Sequence, residues 1–255
     1  MYSPLSYIGG KSRMAKRIVE KIPKHQQYVE PFFGAGWVFF QKPESKYETI
    51  NDLDNDLILF YRVVQNHLEE FIRQFKYILS SRKIFEDWKE QMNTDGFTDI
   101  QRAVRYYYLQ KHAFSGKVKG RTFTGNKLRY PRINLLRLEE QMSEIHLRLS
   151  MVQIENLPYE KCIRQYDTDK AFFFIDPPYH EKPFYKHNFN AFSDFEKLKD
   201  VLENIKGKFI MTHHDIPEIR QLFKGFNIET INIKYSANNT KPKQKTSTEL
   251  LIKNY

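Results

Sequence analysis

The chain has 255 residues, of which 40% are hydrophobic and 15% aromatic, so it can bury one sizeable core. Its 41 Lys and Arg residues outnumber its 31 Asp and Glu residues, and the net charge of +10 favours a polyanionic partner. The single cysteine excludes an internal disulfide, and no run of about 18 apolar residues predicts a membrane span. We expect a soluble, unprocessed protein of the cytoplasm without a membrane partner.

Short apolar runs alternate with helical patterns along most of the chain, which predicts an α/β fold. The predicted strands are residues 27–29, 48–50, 171–175 and 208–211. The predicted helices are residues 12–21, 55–67 and 195–205, the last with Ser193 as its N-cap and Glu196 three residues later. The C-terminal stretch 227–255 is predicted to form two β segments around a polar loop, residues 236–244.

Between residues 68 and 149 the strand signals fade, and helical spacing predicts an inserted, mainly helical lobe. Within it, residues 102–138 contain ten Lys or Arg residues and no Asp or Glu. Such a window repels itself unless an anion lies nearby, although a solvated basic face explains it equally well.

A short apolar strand leads directly into a glycine-rich turn at Gly34 and Gly36. Such a turn lets the backbone approach a ligand at the carboxyl end of a strand. The dinucleotide fingerprint requires a third glycine where Phe39 stands, and a P-loop ending at Lys11 requires glycine where Leu5 stands. The failure of both patterns favours a nucleoside cofactor without a pyrophosphate.

Asp52 ends the next predicted strand, sixteen residues beyond Gly36, where a carboxylate can accept hydrogen bonds from both ribose hydroxyls. We therefore predict Asp52 as the ribose ligand. Alternatively, Asp52, Asp54 and Asp56 only cap the following helix, and for Asp54 and Asp56 this is the better interpretation.

The apolar run 171–175 ends abruptly at Asp176-Pro177-Pro178-Tyr179. Two prolines remove both amide donors and hold the backbone extended. The Asp176 carboxylate and the Pro177 carbonyl can then share the two N–H groups of an exocyclic amine, while Tyr179 offers a ring on which a base can stack. Consecutive prolines also mark ordinary turns, but a turn explains neither the buried strand before them nor the aromatic residue after them.

Four motifs in this order resemble the Dam-type DNA adenine methyltransferases, the D12 class (alpha group). They are residues 4–11 (Pro-Leu-Ser-Tyr-Ile-Gly-Gly-Lys), the glycine-rich loop 30–36, the acidic strand end 52–58 and the tetrapeptide 176–179. The resemblance implies a Rossmann-like, S-adenosylmethionine-dependent fold with a mixed seven-stranded sheet. Residues 1–67 and 150–255 would form the catalytic domain, and residues 68–149 would recognise DNA.

The resemblance also implies roles for individual residues. S-adenosylmethionine would contact Tyr7, Lys11, Asp52 and Asp176, with Phe32, Gly34 and Gly36 beside it and no metal. Asp176, Pro177, Pro178 and Tyr179 would hold a flipped adenine, so that its N6 atom is methylated in double-stranded DNA. The residues expected to bind DNA are Arg121, Lys127, Arg129 and Arg132, together with the loop 236–245.

Two departures from the family pattern concern the cofactor and the recognised sequence. Tyr7 stands where relatives often have Trp, so its ring would stack less extensively on the cofactor. The insertion lacks the Asn-x-Pro-x-Gly stretch expected in close relatives that methylate GATC. The recognised sequence, a restriction partner and the oligomeric state therefore stay open, with a monomer as the simplest expectation.

Competing chemistries have weaker support. Cys162 lacks the loop that would present a nucleophile for cytosine C5 methylation, and is expected to be a buried apolar residue. His213-His214-Asp215 has no further ligands at a recognisable metal spacing, so a structural role is expected. Methylation of cytosine N4 or of an RNA adenine remains an alternative, as does a non-catalytic DNA-binding protein.

Overall fold

A single mixed sheet forms the centre of the computed structural model, which describes residues 1–7, 9, 11–124, 130–179, 185–189, 191–234 and 246–255. The seven strands of the described part run in the order β3-β2-β1-β4-β5-β7-β6. They are β1 (Gln27–Glu30), β2 (Tyr47–Asn51), β3 (Gln153–Glu155), β4 (Ala171–Ile175), β5 (Lys208–His214), β6 (Asn227–Lys234) and β7 (Thr246–Lys253). Only β7 is antiparallel to its neighbours.

Helices connect the strands and cover the sheet. They are α1 (Ala15–Val19), α2 (Asn55–Asn66), α3 (Leu68–Phe75), α4 (Arg82–Gln91), α5 (Asp99–His112), α6 (Leu135–Leu149), α7 (Tyr159–Tyr166), α8 (Phe192–Glu203) and α9 (Pro217–Leu222). Among the described residues, no helix is long and apolar enough to cross a membrane.

The α/β class and the seven-stranded Rossmann-like sheet are confirmed. Strand β4 has the predicted bounds, whereas β5 continues three residues further and β3, too short for a clear apolar run, had not been located. Two β segments also form in the C-terminal stretch, while the loop predicted between them, residues 236–244, lies outside the described residues, as does the whole segment 236–245 expected near DNA.

The predicted start of α8 was wrong. Ser193 lies inside the helix, and the N-cap is Ala191, whose amide donates to the Asp194 carboxylate at 3.1 Å. An aspartate at the third helical position thus serves the role assigned to Glu196, because its short side chain reaches back to the N-cap amide. Helix α1 is also shorter than the predicted 12–21.

The order of the strands determines where a ligand can bind. From β1 the chain proceeds to β2 and β3 on one side, and then returns to place β4 on the other side of β1. Ligands of open α/β sheets bind at such a switch point, outside the carboxyl ends of the strands. The ends of β1, β2 and β4 carry Gly34, Asp52 and Asp176, so this topology brings the three sequence motifs to one edge.

The insertion is helical throughout its regular elements, α3 to α6. Its aromatic residues pack onto α2, as in the stacked rings of Phe60 and Tyr107 with centroids 5.5 Å apart. Phe71, Tyr107 and Met142 of the insertion belong to the same apolar cluster as Tyr28 of β1. The helices therefore share a core with one face of the sheet, and their function as a separate recognition lobe stays a prediction.

Candidate active site

A cavity of about 460 Å³ opens at the carboxyl edge of the sheet, at the switch point. All seven residues predicted to contact the cofactor line it: Tyr7, Lys11, Phe32, Gly34, Gly36, Asp52 and Asp176. They come from four separate segments of the chain, so only the parallel arrangement of β1, β2 and β4 brings them together.

The glycine-rich loop forms the wall next to β1. Gly34 and Gly36 have φ values of +50° and +64°, in the left-handed region that side chains other than glycine rarely adopt. A Cβ atom at Gly36 would also collide with the ring of Phe33. The two glycines thus let the chain turn sharply away from the end of β1 and keep the cavity open.

Asp52 joins the ends of β1 and β2. Its Oδ2 accepts a hydrogen bond from the Gly34 amide at 2.9 Å, and its Oδ1 accepts one from the Asp54 amide at 2.9 Å. Burial raises the pKa of Asp52 to about 6, although these hydrogen bonds oppose the shift. The N-cap of α2 is Asp54, as predicted, so capping this helix does not account for Asp52.

Asp176 is half-buried at the end of β4, where two donors share one of its oxygens. Lys11 Nζ lies 2.6 Å from Oδ1, and Thr212 Oγ1 donates to the same atom at 2.7 Å. Burial raises the pKa of Asp176 above its usual value, and Lys11 and Thr212 oppose this. No described residue donates a hydrogen bond to Oδ2 of Asp176 or to the Pro177 carbonyl, so two neighbouring acceptors stay available to a ligand.

Tyr179 is buried behind this pair of acceptors, with only 9% of its surface exposed. Its hydroxyl donates to Glu249 Oε2 at 2.6 Å, and Lys11 Nζ lies 4.5 Å from the centroid of its ring. The rings of His213 and His214 pack against it at centroid distances of 4.7 and 4.5 Å. Neither Tyr179 nor Pro177 lines the cavity, whereas Pro178 does.

Residues 185–189, a few positions after the tetrapeptide, line the outer side of the cavity. The ring of Tyr185 stacks on Tyr7 with centroids 6.0 Å apart. Lys186 Nζ lies 3.5 Å from Asp54 Oδ1 and 3.2 Å from Asp56 Oδ2, while Asp56 also accepts a hydrogen bond from Arg102 of α5 at 2.6 Å. One carboxylate therefore ties both this segment and the insertion to the start of α2.

The residues expected to bind DNA differ in their surroundings. Arg132 is exposed, whereas Arg121 is half-buried and donates to Gln110 Oε1 at 3.2 Å. Lys127 and Arg129 lie outside the described residues. The basic window is also partly compensated by acids beyond its ends, because Arg102 pairs with Asp56 and Arg137 with Glu140.

Several residues near the site had not been singled out from the sequence. Glu30, buried at the end of β1, and Leu157 and Tyr159, after β3, line the cavity. Asn51 connects these two regions, because its amide donates to the carbonyls of Pro31 and Leu157 at 2.9 and 3.0 Å. The signal for Asn51 was its place in the strand end Ile-Asn-Asp, whereas nothing local marks the residues after β3.

Cys162 is fully buried in α7, and burial raises the pKa of its thiol to about 12. A thiol with such a pKa is not a nucleophile near neutral pH. The expectation that Cys162 is a buried residue is therefore confirmed.

A Rossmann-like sheet with one reversed strand and a cavity at its switch point define the class as an S-adenosylmethionine-dependent methyltransferase. The tetrapeptide at the end of β4 adds two acceptors to which no described residue donates. The chain belongs to the D12 class N6 adenine-specific DNA methyltransferase family, whose model matches residues 7–237. It is thus an enzyme that methylates DNA, as the sequence motifs had implied.

Relatives from bacteria and archaea match nearly the whole chain. The type II methyltransferase M1.LlaDCHI of Lactococcus lactis subsp. cremoris is 26% identical over 273 residues, covering 98% of this chain and 94% of that protein. The type II methyltransferase M.MjaIII of Methanocaldococcus jannaschii is 25% identical, covering 98% of each chain. The DNA adenine methylase of Salmonella typhi is 24% identical, covering 97% of this chain and 93% of that protein.

Proposed function

We propose that the protein transfers a methyl group from S-adenosylmethionine to N6 of an adenine that is flipped out of double-stranded DNA. The observation that carries this proposal is a pair of acceptors to which no described residue donates, Asp176 Oδ2 and the Pro177 carbonyl, beside a nucleoside-sized cavity. An exocyclic amine has two N–H groups to donate, and the names of relatives such as the Salmonella DNA adenine methylase favour adenine in DNA.

The residues of the cavity fit the cofactor. Its volume of about 460 Å³ is within the range of small-molecule sites, and the Asp52 carboxylate can accept hydrogen bonds from ribose hydroxyls at its edge. The left-handed backbone at Gly34 and Gly36 turns the chain sharply at the cavity wall, which lets the loop backbone approach a ligand. When bound, S-adenosylmethionine supplies an electrophilic methyl group on a sulfonium with a neutral leaving group.

The chain's own residues would act mainly by orientation. Asp176 Oδ2 and the Pro177 carbonyl accept the two N–H groups and direct the nitrogen lone pair toward the cavity. Lys11 and Thr212 stabilise the carboxylate form of Asp176 through Oδ1. Asp176 can then accept the proton that the amine loses once it has been methylated.

An adenine inside a duplex is inaccessible, which is why base flipping belongs to the proposal. Arg132 is exposed and makes no ion pair with a described residue, so we assign it to a phosphate contact. Arg121, which is half-buried and donates to the buried Gln110, is assigned to the DNA-facing side of the insertion. Lys127 and Arg129 retain the same predicted role.

The test is methyl transfer from tritiated S-adenosylmethionine to unmethylated DNA, followed by digestion to nucleosides. We expect N6-methyladenine as the labelled product. N4-methylcytosine would show that the same acceptors serve cytosine, and label in RNA alone would overturn the assignment to DNA.

A matched pair of variants isolates the role of Asp176. Asp176→Asn keeps the size of the side chain but donates from one end, so transfer should fall by at least about 100-fold while DNA binding persists. Thr212→Val removes one of the two donors to Asp176 Oδ1 and should lower the rate of methyl transfer less than Asp176→Asn does. Full transfer by Asp176→Asn would exclude Asp176 as the acceptor for the amine.

A further inference from the structure

Glu249 of β7 joins two side chains next to the catalytic tetrapeptide. It is 3% exposed, and each of its carboxylate oxygens has a different partner. Oε2 accepts the hydrogen bond from the Tyr179 hydroxyl at 2.6 Å, and Oε1 lies 2.8 Å from His214 Nδ1. Glu249 thus forms a buried bridge between the tetrapeptide and β5.

The register of the sheet explains this bridge. His214 and Glu249 are directly paired across the antiparallel strands β5 and β7. Thr212, two residues before His214 and therefore on the same face of β5, donates to Asp176. The first residue of the tetrapeptide is tied to β5 directly, and its last residue is tied to the same strand through Glu249.

The charge state of Glu249 suits this role. Burial alone would raise its pKa, but His214, Lys11 and Tyr179 hold the pKa of Glu249 below its usual value. An ionised carboxylate accepts a stronger hydrogen bond from a tyrosine hydroxyl than a neutral group does. The ring of Tyr179, gripped at its hydroxyl end, is thereby fixed in orientation relative to Asp176.

We propose that Glu249 is a positioning residue for methyl transfer, which fixes the Tyr179 ring so that the target amine meets Asp176 in the reactive orientation. The inference rests on the proposed function. Small errors of alignment are costly in a reaction that depends on orientation, so loss of this hydrogen bond should lower the rate of the methyl-transfer step. Glu249 itself does not touch the reacting atoms.

The experiment is a double-mutant cycle on Glu249 and Tyr179, read as the single-turnover rate of adenine methylation with saturating DNA and cofactor. Glu249→Leu and Tyr179→Phe remove the same hydrogen bond from opposite ends. Each should reduce the rate about tenfold, and the double variant should be no slower than either single variant. Glu249→Gln keeps an oxygen acceptor and should stay within about threefold of the wild type.

Glu229→Gln, a partly exposed glutamate of the neighbouring strand β6, is the control and should leave the rate unchanged. The affinity for S-adenosylhomocysteine should be the same in all variants. Multiplicative losses in the double variant, or an unchanged rate for Tyr179→Phe, would overturn the inference. If Glu249→Leu does not fold, an unchanged rate for Tyr179→Phe still overturns the inference.

A wild-type protein that methylates no adenine refutes the proposed function instead. Because that result appears before any variant is compared, the two failures are distinguishable.

Discussion

Lys11 Nζ lies 2.6 Å from Oδ1 of Asp176, and 4.5 Å from the ring centroid of Tyr179. One ammonium group therefore contacts the first and the last residue of the tetrapeptide 176–179. The N-terminal motif had been expected to serve the cofactor, and its lysine also lines the cavity. In the folded protein, Lys11 connects the proposed cofactor site with the acceptor for the amine.

Replacing Lys11 should change the pH dependence of methyl transfer. Lys11 lowers the pKa of Asp176, so Lys11→Met should raise that pKa and leave more of the carboxyl protonated at a given pH. The acidic limb of the pH–rate profile should move to higher pH by about one pH unit or more. Rates measured from pH 5 to 9 test this, with Lys11→Arg as the charge-conserving control. If the acidic limb of the Lys11→Met profile did not move, Lys11 would have no influence on the ionisation of Asp176.

Asp52 should make cofactor binding sensitive to pH. Its pKa of about 6 lies above the ordinary value, so Asp52 gains a proton as the pH falls through 6 and then loses acceptor capacity. Affinity for S-adenosylhomocysteine should be constant above about pH 7, and should fall below pH 6 by up to about tenfold per pH unit. Calorimetric titration across this range measures the effect.

Two variants separate Asp52 from Glu30, a buried carboxyl group that also lines the cavity. Asp52→Asn should bind S-adenosylhomocysteine more weakly, and its affinity should no longer fall below pH 6. Glu30→Gln should retain this fall in affinity. If the affinity of Asp52→Asn still fell below pH 6, the protonation responsible would belong to another group.

Lys186 should slow the release of the cofactor. Its ion pairs with Asp54 and Asp56 hold the segment 185–189 against the outer side of the cavity. Lys186→Met should increase the dissociation rate of S-adenosylhomocysteine roughly threefold to tenfold, because these half-exposed pairs are each worth about 1 kcal/mol or less. Stopped-flow fluorescence can measure the rate. Lys199→Met, which removes a pair with Glu203 on the surface of α8, is the matched control and should have no effect. Equal rates in both variants would mean that the pairs do not retain the cofactor.

Arg132 and Arg137 should differ in their contribution to DNA binding. Both are exposed, but Arg137 pairs with Glu140 whereas Arg132 has no acidic partner among the described residues. Arg132→Ala should weaken binding and reduce the slope of log K against log salt by about one, the value for one lost phosphate contact. Arg137→Ala should change the slope less. Fluorescence anisotropy at several salt concentrations tests the difference, and identical slopes for Arg132→Ala and the wild type would remove Arg132 from the interface.

The parts of the fold that the sequence predicts well are those with a local signal. Strand β4 is an unbroken apolar run that ends at two prolines, and its predicted bounds are the observed ones. The short strand β3 has no such signal, because it is only half-buried at an edge of the sheet. The start of α8 was misplaced because Ser193 is a favoured capping residue, whereas the N-cap is Ala191, which has no side-chain acceptor and is served instead by the Asp194 carboxylate.

The residues of the candidate site likewise divide into those that have a local sequence signal and those that have none. The glycines, the Asp52 strand end and the tetrapeptide are marked by residue type and spacing, so the sequence alone determined that these segments form a site and which chemistry they suit. It did not mark the segments 157–159 and 185–189, which also line the cavity. Glu249 carries no local signal, since it lies 70 residues beyond Tyr179 in a strand of unremarkable composition. Its hydrogen bond exists only because β7 inserts antiparallel beside β5, and that pairing is a long-range choice of the folded sheet. Tertiary structure likewise decided that Asp56 is shared by Arg102 and Lys186, because ion pairs between distant segments depend on proximity that residue order does not encode.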